Sequence, residues 1–313
     1  MTDYTTLIDA ETWAFIERTN SFYPPDTVDY GIDRQRAIYD RMCREFHAGY
    51  PDGIAVETMA IGTATHRIPI RIYRPGGNEP AALVLYFHGG GFVVGGLESH
   101  DDVCAELCRR TGCMVVSVDY RLVPEHVHPA AFDDAMTAFR WAADTQDLPI
   151  VLAGDSAGGN LAAAVAHSSR GHFRTPVGQV LIYPGLGGDQ TKGSYVTHAE
   201  APMLSVRDIE FYRKERFGGE EPAGDASAAP LHDADFSGLP PTVIVTAECD
   251  PLSSDGEAYR DAILSAGGKA VWFEEKGLVH GYLRARHTVG RARESFSRIV
   301  EATAALAKGE GPY

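Results

Sequence analysis

Cysteine is scarce and poorly spaced for chemistry. The five in 313 residues (Cys43, Cys104, Cys108, Cys113 and Cys249) form no CxxC pair and no Cys/His cluster at zinc spacing. That excludes a zinc finger or a dithiol redox site. The odd count suits a reducing compartment, where cysteine acts as a small buried apolar residue. No apolar run approaches the roughly 18 residues of a membrane span, and the longest, such as PAALVLYF, are strand-sized. The opening MTDYTTLIDAETWAF lacks the basic region and apolar core of a secretory signal. Positive charge is in deficit. With 28 Lys and Arg against 43 Asp and Glu the formal charge is −15, which argues against nucleic acid or an anionic membrane as partner. Phosphate-binding loops are missing too: the glycine-rich run at 88–92 fits neither GxxxxGK[ST] nor GxGxxG, since position 94 is Val. Repeats and low-complexity linkers are absent. These absences lead to the expectation of a single cytoplasmic α/β domain that needs no metal or organic cofactor.

What is present is a β–α rhythm. Residues 1–45 alternate aromatic and charged residues at helical spacing on either side of the break FYPPD, as in amphipathic helices docked on a larger body. RIPIRIYR (67–74) alternates apolar and basic residues, which predicts a strand with one exposed face. AALVLYF (81–87) and CMVVSVDY (113–120) are continuous apolar runs suited to strands buried on both faces. Helix, strand, helix and strand follow at 130–143, 150–154, 157–170 and 178–184. The rhythm breaks between about 186 and 232, a Gly-, Ala- and charge-rich stretch carrying SVRDIEFYRKERF. It resumes with a strand at 241–250, a helix at 253–267, a strand at 269–276 and a final helix from about 284 to 307. Such alternation predicts a mostly parallel sheet with helices on both faces. Segments 1–45 and 186–232 then form a helical cap over a body of 46–185 and 233–313.

Two motifs occupy strand ends. GDSAG (154–158) fits G-x-S-x-G between a strand and a helix, the setting in which a sharp turn lifts a serine, here Ser156, into reach. HGGGF (88–92) directly follows a strand. Three glycines clear the Cβ atoms from backbone N–H groups that could face an oxyanion. A base and an acid are then expected later in the chain. His280 stands just beyond the strand at 269–276, and Asp250 ends the strand at 241–250. Asp255 competes for the acid role but lies inside a helix. Asp155 adjoins the serine too closely to reach a histidine across the turn, and His287 falls in the final helix.

With HGGGF, DYRLVPEHVHPAA (119–131), GDSAGGNL, DPLSSDG (250–256) and LVHGY (278–282) in this order, the chain resembles the hormone-sensitive-lipase-like branch of the α/β-hydrolases over about 80–290. Within that branch the bacterial acetyl esterases are the nearest resemblance. It implies the α/β-hydrolase fold, with Ser156 as nucleophile, His280 as general acid and base and Asp250 as its orienter. An oxyanion hole is implied at Gly90, Gly91 and Ala157, with Gly89 shaping the loop and His88 structural. The chain departs from the family pattern at His128, where an aromatic is common, so loop packing near the site is expected to differ. The activity implied is hydrolysis of short-chain acyl esters, with a small-molecule ester as partner and a homodimer left open. Two alternatives stay open: an amidase, peptidase or carbamate hydrolase on the same triad, or a non-catalytic receptor such as the plant gibberellin receptors, which lack the catalytic histidine.

Overall fold

The computed structural model describes residues 2–62, 65–77 and 79–311. Among these residues eight strands form one sheet: β1 (Ile54–Gly62), β2 (Arg67–Pro75), β3 (Leu83–Phe87), β4 (Met114–Val118), β5 (Ile150–Asp155), β6 (Gly178–Ile182), β7 (Thr242–Cys249) and β8 (Ala270–Val279). Their order is β1-β2-β4-β3-β5-β6-β7-β8. β1 and β2 run antiparallel to their neighbours, and every pairing from β4 to β8 is parallel. Among the described residues ten α-helices accompany them: α1 (Tyr4–Leu7), α2 (Ala10–Phe22), α3 (Ile32–Phe46), α4 (Asp101–Thr111), α5 (Ala130–Thr145), α6 (Ala157–Ser168), α7 (Ser194–Thr197), α8 (Val206–Phe217), α9 (Ser253–Ser265) and α10 (Gly290–Ala307). This is the α/β-hydrolase architecture, and it bears out the expected fold class.

The period of two along a strand builds two cores. Leu83, Leu85, Phe87, Val116 and Leu152 point to the face covered by α5, α6 and α9. Val84, Tyr86, Val115, Val151 and Ala153 point to the face covered by α4 and α10. Strands covered on both faces need apolar residues at every position, which is why β3, β4 and β5 read as unbroken runs.

The edge differs from expectation. β1 carries no clean alternation and buries only Ile61, so no periodicity marks it as a strand. β2, read as a strand with one exposed face, lies between β1 and β4. It buries Ile68, Ile70 and Ile72 on one side and Tyr73 on the other. The Tyr73 hydroxyl donates to Asp101, and Arg71 pairs with Asp101 and Glu98.

The final helix begins later than 284. Tyr282–Ala285 forms a 3-10 turn, and α10 starts at Gly290, whose N–H donates to Glu11 at 2.7 Å. Within the intervening turn Arg286 faces inward to Asp102 and Glu106, and His287 is in the turn rather than in the helix.

The N-terminal helices form a cap. Its α3 turns Gln35, Tyr39, Met42 and Cys43 inward, at helical spacing. A hydrogen bond between the hydroxyls of Tyr23, just after α2, and Tyr212 in α8 ties the N-terminal segment to the 186–232 stretch. Helix α8 is delimited by a Ser205–Asp208 capping box and by Gly218 in the left-handed conformation. Among the described residues, no helix is long and apolar enough to cross a membrane.

Candidate active site

The turn between β5 and α6 forces Ser156 into φ 54°, ψ −118°, a conformation that costs a non-glycine residue about 1–3 kcal/mol. Its N–H donates to Ile182 O at 2.8 Å and fixes the turn on β6. Close packing dictates the flanking glycines. A Cβ on Gly158 would run into the carbonyl of Phe87, and one on Gly154 would lie 2.7 Å from that same oxygen. The serine is thereby carried to the carboxyl end of the sheet.

His280 follows β8 directly. Its Nε2 lies 2.9 Å from Ser156 Oγ, and its Nδ1 lies 2.6 Å from Asp250 Oδ2. A carboxylate can only accept, so Nδ1 carries the proton and Nε2 presents its lone pair to the serine hydroxyl. Asp250 is fully buried, and its other oxygen accepts from Leu252 N at 2.9 Å. The structure thus brings Ser156, His280 and Asp250 into one hydrogen-bonded line.

The competing residues lie elsewhere. Asp255, in α9, accepts from the N–H groups of Leu186 (2.6 Å) and Gly188 (3.3 Å) and from the Tyr195 hydroxyl (3.2 Å), anchoring the entry to the 186–232 segment. Burial pushes its carboxyl up to about 6. Asp155 faces away from the histidine and accepts from Tyr86 (2.8 Å) and Gly89 N (3.0 Å), with His100 Nε2 3.1 Å away. Burial alone would raise its carboxyl, but His100 and the hydrogen bonds outweigh that and hold it below the usual range. His287 is exposed and lies 3.3 Å from Glu106.

The glycine loop leaves β3 and passes beside the serine. Gly90 and Gly91 have φ 129° and 60°. A Cβ on Gly91 would enter the ring of Tyr212. The N–H groups of Gly90, Gly91 and Ala157 have no protein acceptor among the described residues. Gly89 is different. Its N–H is taken by Asp155, so among the glycines expected at an oxyanion hole it supports the loop and does not donate. His88 is buried, stacks on Tyr120 at 4.3 Å and donates from Nδ1 to Gly89 O at 2.8 Å. Burial pushes its pKa down to about 4, and its Nε2 has no partner.

These groups open on a cavity of about 520 Å³, walled by Gly90, Gly91, Ser156, Ala157 and His280 below and by residues of the N-terminal helices and of the 186–232 stretch above. No group of His, Cys, Asp and Glu among the described residues is arranged to hold a metal ion.

A sequence model of the alpha/beta hydrolase fold matches residues 84–284. The chain belongs to the hormone-sensitive-lipase-like α/β-hydrolases. Esterase LipI of Mycobacterium tuberculosis is 38% identical over 284 residues, covering 87% of this chain and 88% of the relative. Ethyl acetate hydrolase of Pseudomonas putida is 34% identical over 250 residues, 76% of this chain and 78% of the relative. Among solved structures, the hyperthermophilic esterase from Pyrobaculum calidifontis superposes with a TM-score of 0.87 at 33% identity, covering 96% of this chain and 99% of that one.

No local sequence signal marks how the 186–232 stretch of this α/β-hydrolase is tied to the glycine loop. Arg216 of α8 donates to Ala228 O (2.9 Å) and Asn160 Oδ1 (3.1 Å), and its guanidinium carbon lies 3.9 Å from the centre of the Phe92 ring. Asn160 in turn donates to Gly185 O and Ala228 O. Tyr212, one helical turn before Arg216, covers Gly91. Asn160 was visible as the N of GDSAGGNL, whereas nothing singles out Arg216 within a helix so rich in charge. The departure at His128 is accommodated by packing: the ring is buried edge-on to Phe217 at 5.6 Å, with Nε2 3.2 Å from Asp225 Oδ2.

Proposed function

We propose that the chain is a serine carboxylesterase acting on short-chain acyl esters. The observation that carries this reading is the 2.9 Å approach of His280 Nε2 to Ser156 Oγ, with Asp250 holding the far side of the imidazole at 2.6 Å. Ser156 Oγ attacks the ester carbonyl while its proton passes to His280 Nε2, and Asp250 stabilises the imidazolium. The N–H groups of Gly90, Gly91 and Ala157 receive the oxyanion, and such a donor is worth about 2.7–4 kcal/mol. The imidazolium protonates the leaving alcohol. A water then gives its proton to His280, adds to the acyl carbonyl and releases the acid, and the proton returns to Ser156.

The names of the relatives support ester chemistry, and that of the Pseudomonas putida protein names a short ester. The cap takes in residues 1–45 and 186–232 and decides which acyl and alcohol groups fit, while the body supplies the chemistry. A reducing compartment accords with five cysteines that are all buried and unpaired. A receptor reading is disfavoured by the base itself, since His280 is present and in hydrogen-bond reach of the serine.

The test is a p-nitrophenyl ester series from acetate upward, run beside amides of the same acyl groups. The reading expects the highest kcat/KM at the short end and far slower amides. A maximum above about eight to ten carbons would overturn the chain-length assignment, and faster amide cleavage would replace the esterase by an amidase.

A further inference from the structure

Four arginines line the cavity: Arg207, Arg213, Arg216 and Arg284. Three have anionic or carbonyl acceptors. Arg207 pairs with Asp29, Arg213 with Glu221 at 2.5 Å, and Arg216 with the carbonyls of Ala228 and Ser227 and with Asn160. Arg284 is the exception. It follows His280 by four residues, in the 3-10 turn, beside Tyr39 and Met42 of α3. Its Nη2 donates to the Tyr39 hydroxyl at 2.5 Å and approaches Cys43 Sγ at 3.6 Å, both neutral groups. Its Nε is buried with no hydrogen-bond partner, and Nη1 has no protein acceptor among the described residues.

A guanidinium carries five donors and does not deprotonate, so leaving most of them unmet beside a cavity is costly unless something else accepts them. No carboxylate lining the cavity hydrogen-bonds to Arg284 among the described residues. Asp208 serves the capping box of α8, Glu221 is held by Arg213, and Glu200 is exposed. The Asp155 charge bears on Arg284, but its oxygens face Tyr86, Gly89, His100 and Tyr183, so it takes none of the arginine's N–H groups. The formal charge of −15 repels anions at long range, so recognition of one would fall to a local cation such as this.

The geometry points to Arg284 as a specificity residue that receives a carboxylate on the substrate: the ester taken by this site carries a second, anionic end that shares the cavity with the scissile bond. The inference rests on the esterase reading and narrows its substrate class. Arg284 takes no part in bond making, and its role is to hold the anionic end while Ser156 and His280 act on the ester.

The test compares anionic esters with neutral ones of the same shape. Monoethyl adipate is set against ethyl 6-methylheptanoate, and 5-acetoxypentanoate against 5-methylhexyl acetate, so the carboxylate is tried on both the acyl and the alcohol side. In the wild type at least one anionic ester should exceed its neutral counterpart in kcat/KM by about tenfold or more, the range of a charge-assisted hydrogen bond. Arg284→Gln should remove that advantage mainly through KM and leave the neutral esters within about threefold. Arg284→Lys, which keeps the charge, should return part of it. An equal loss on both classes, or no preference in the wild type, would overturn the inference and leave the esterase reading standing. Should the folded wild type cleave no ester at all, the esterase reading falls by itself. Adipate binding then decides the anion site: a rise in melting temperature that Arg284→Gln abolishes supports it, and no rise overturns it.

Discussion

The carboxyl end of the sheet and the cap above it are built on opposite plans. At the sheet, each group around Ser156 is fixed by another strand or its following turn: the serine N–H by β6, Asp250 by the Leu252 N–H, and the glycine loop by Asp155. Above it, the N-terminal helices and the 186–232 stretch meet through side chains, as between Tyr23 and Tyr212 and in the exposed ion pair Arg207–Asp29. Exposed pairs of this kind contribute little to stability. The floor is held by backbone hydrogen bonds from several strands, whereas the roof is joined across its two segments by a few side-chain pairs and is fixed to the floor at Arg216 and Asp255.

The largest break to that contrast is on the floor. Ser156→Ala should lower kcat about 10⁴- to 10⁶-fold in a steady-state ester assay while leaving binding of a substrate analogue almost unchanged. Asp250→Asn should cost about 10⁴-fold, because an amide N–H facing Nδ1 favours the tautomer that cannot accept the serine proton. Gly91→Ala probes the seam between floor and roof. Its new methyl meets the Tyr212 ring and displaces the loop, which should cost about 10²- to 10³-fold in kcat, comparable to losing one oxyanion donor. Adding Tyr212→Ala should recover part of that loss, as a double-mutant cycle would show.

The smallest effect concerns acid. Burial pushes the His88 pKa from the ordinary 6.5 down to about 4 in the fold, so the unfolded chain takes up its proton first as pH falls. The contribution is fully present above pH 6.5 and lost as pH falls toward 4. At about 1.4 kcal/mol per unit it amounts to a few kcal/mol. Urea midpoints of wild type and His88→Phe should converge over that window, because only the wild type carries this proton-linked loss.

The same contrast explains what could be read from the residues alone. Strands buried on both faces and a turn flanked by glycines leave strong local marks, so β3 to β7 and the GDSAG turn were legible, as was β8, at the opposite edge, from its apolar run VWF, and with them the strand-end positions of Asp250 and His280. β1 was not, since an exposed edge strand needs no alternation. Nor were Arg216, Tyr212 and Arg284, whose meaning arises only from segments far apart in sequence meeting over the cavity. Gly89 shows the limit within a motif. Three successive glycines look equivalent, and only the fold shows that the first N–H is already bonded to Asp155.

The central claim is that Ser156 forms a covalent acyl intermediate, and mass spectrometry after rapid mixing with p-nitrophenyl acetate tests it most directly. The account predicts a transient acetyl group on the peptide carrying Ser156, with a matching burst of about one p-nitrophenol per chain. It predicts that His280→Ala suppresses both the burst and the modification, because Ser156 then has no base to take its proton. Ester turnover with no modified serine, or with the acyl group on another residue, would contradict it.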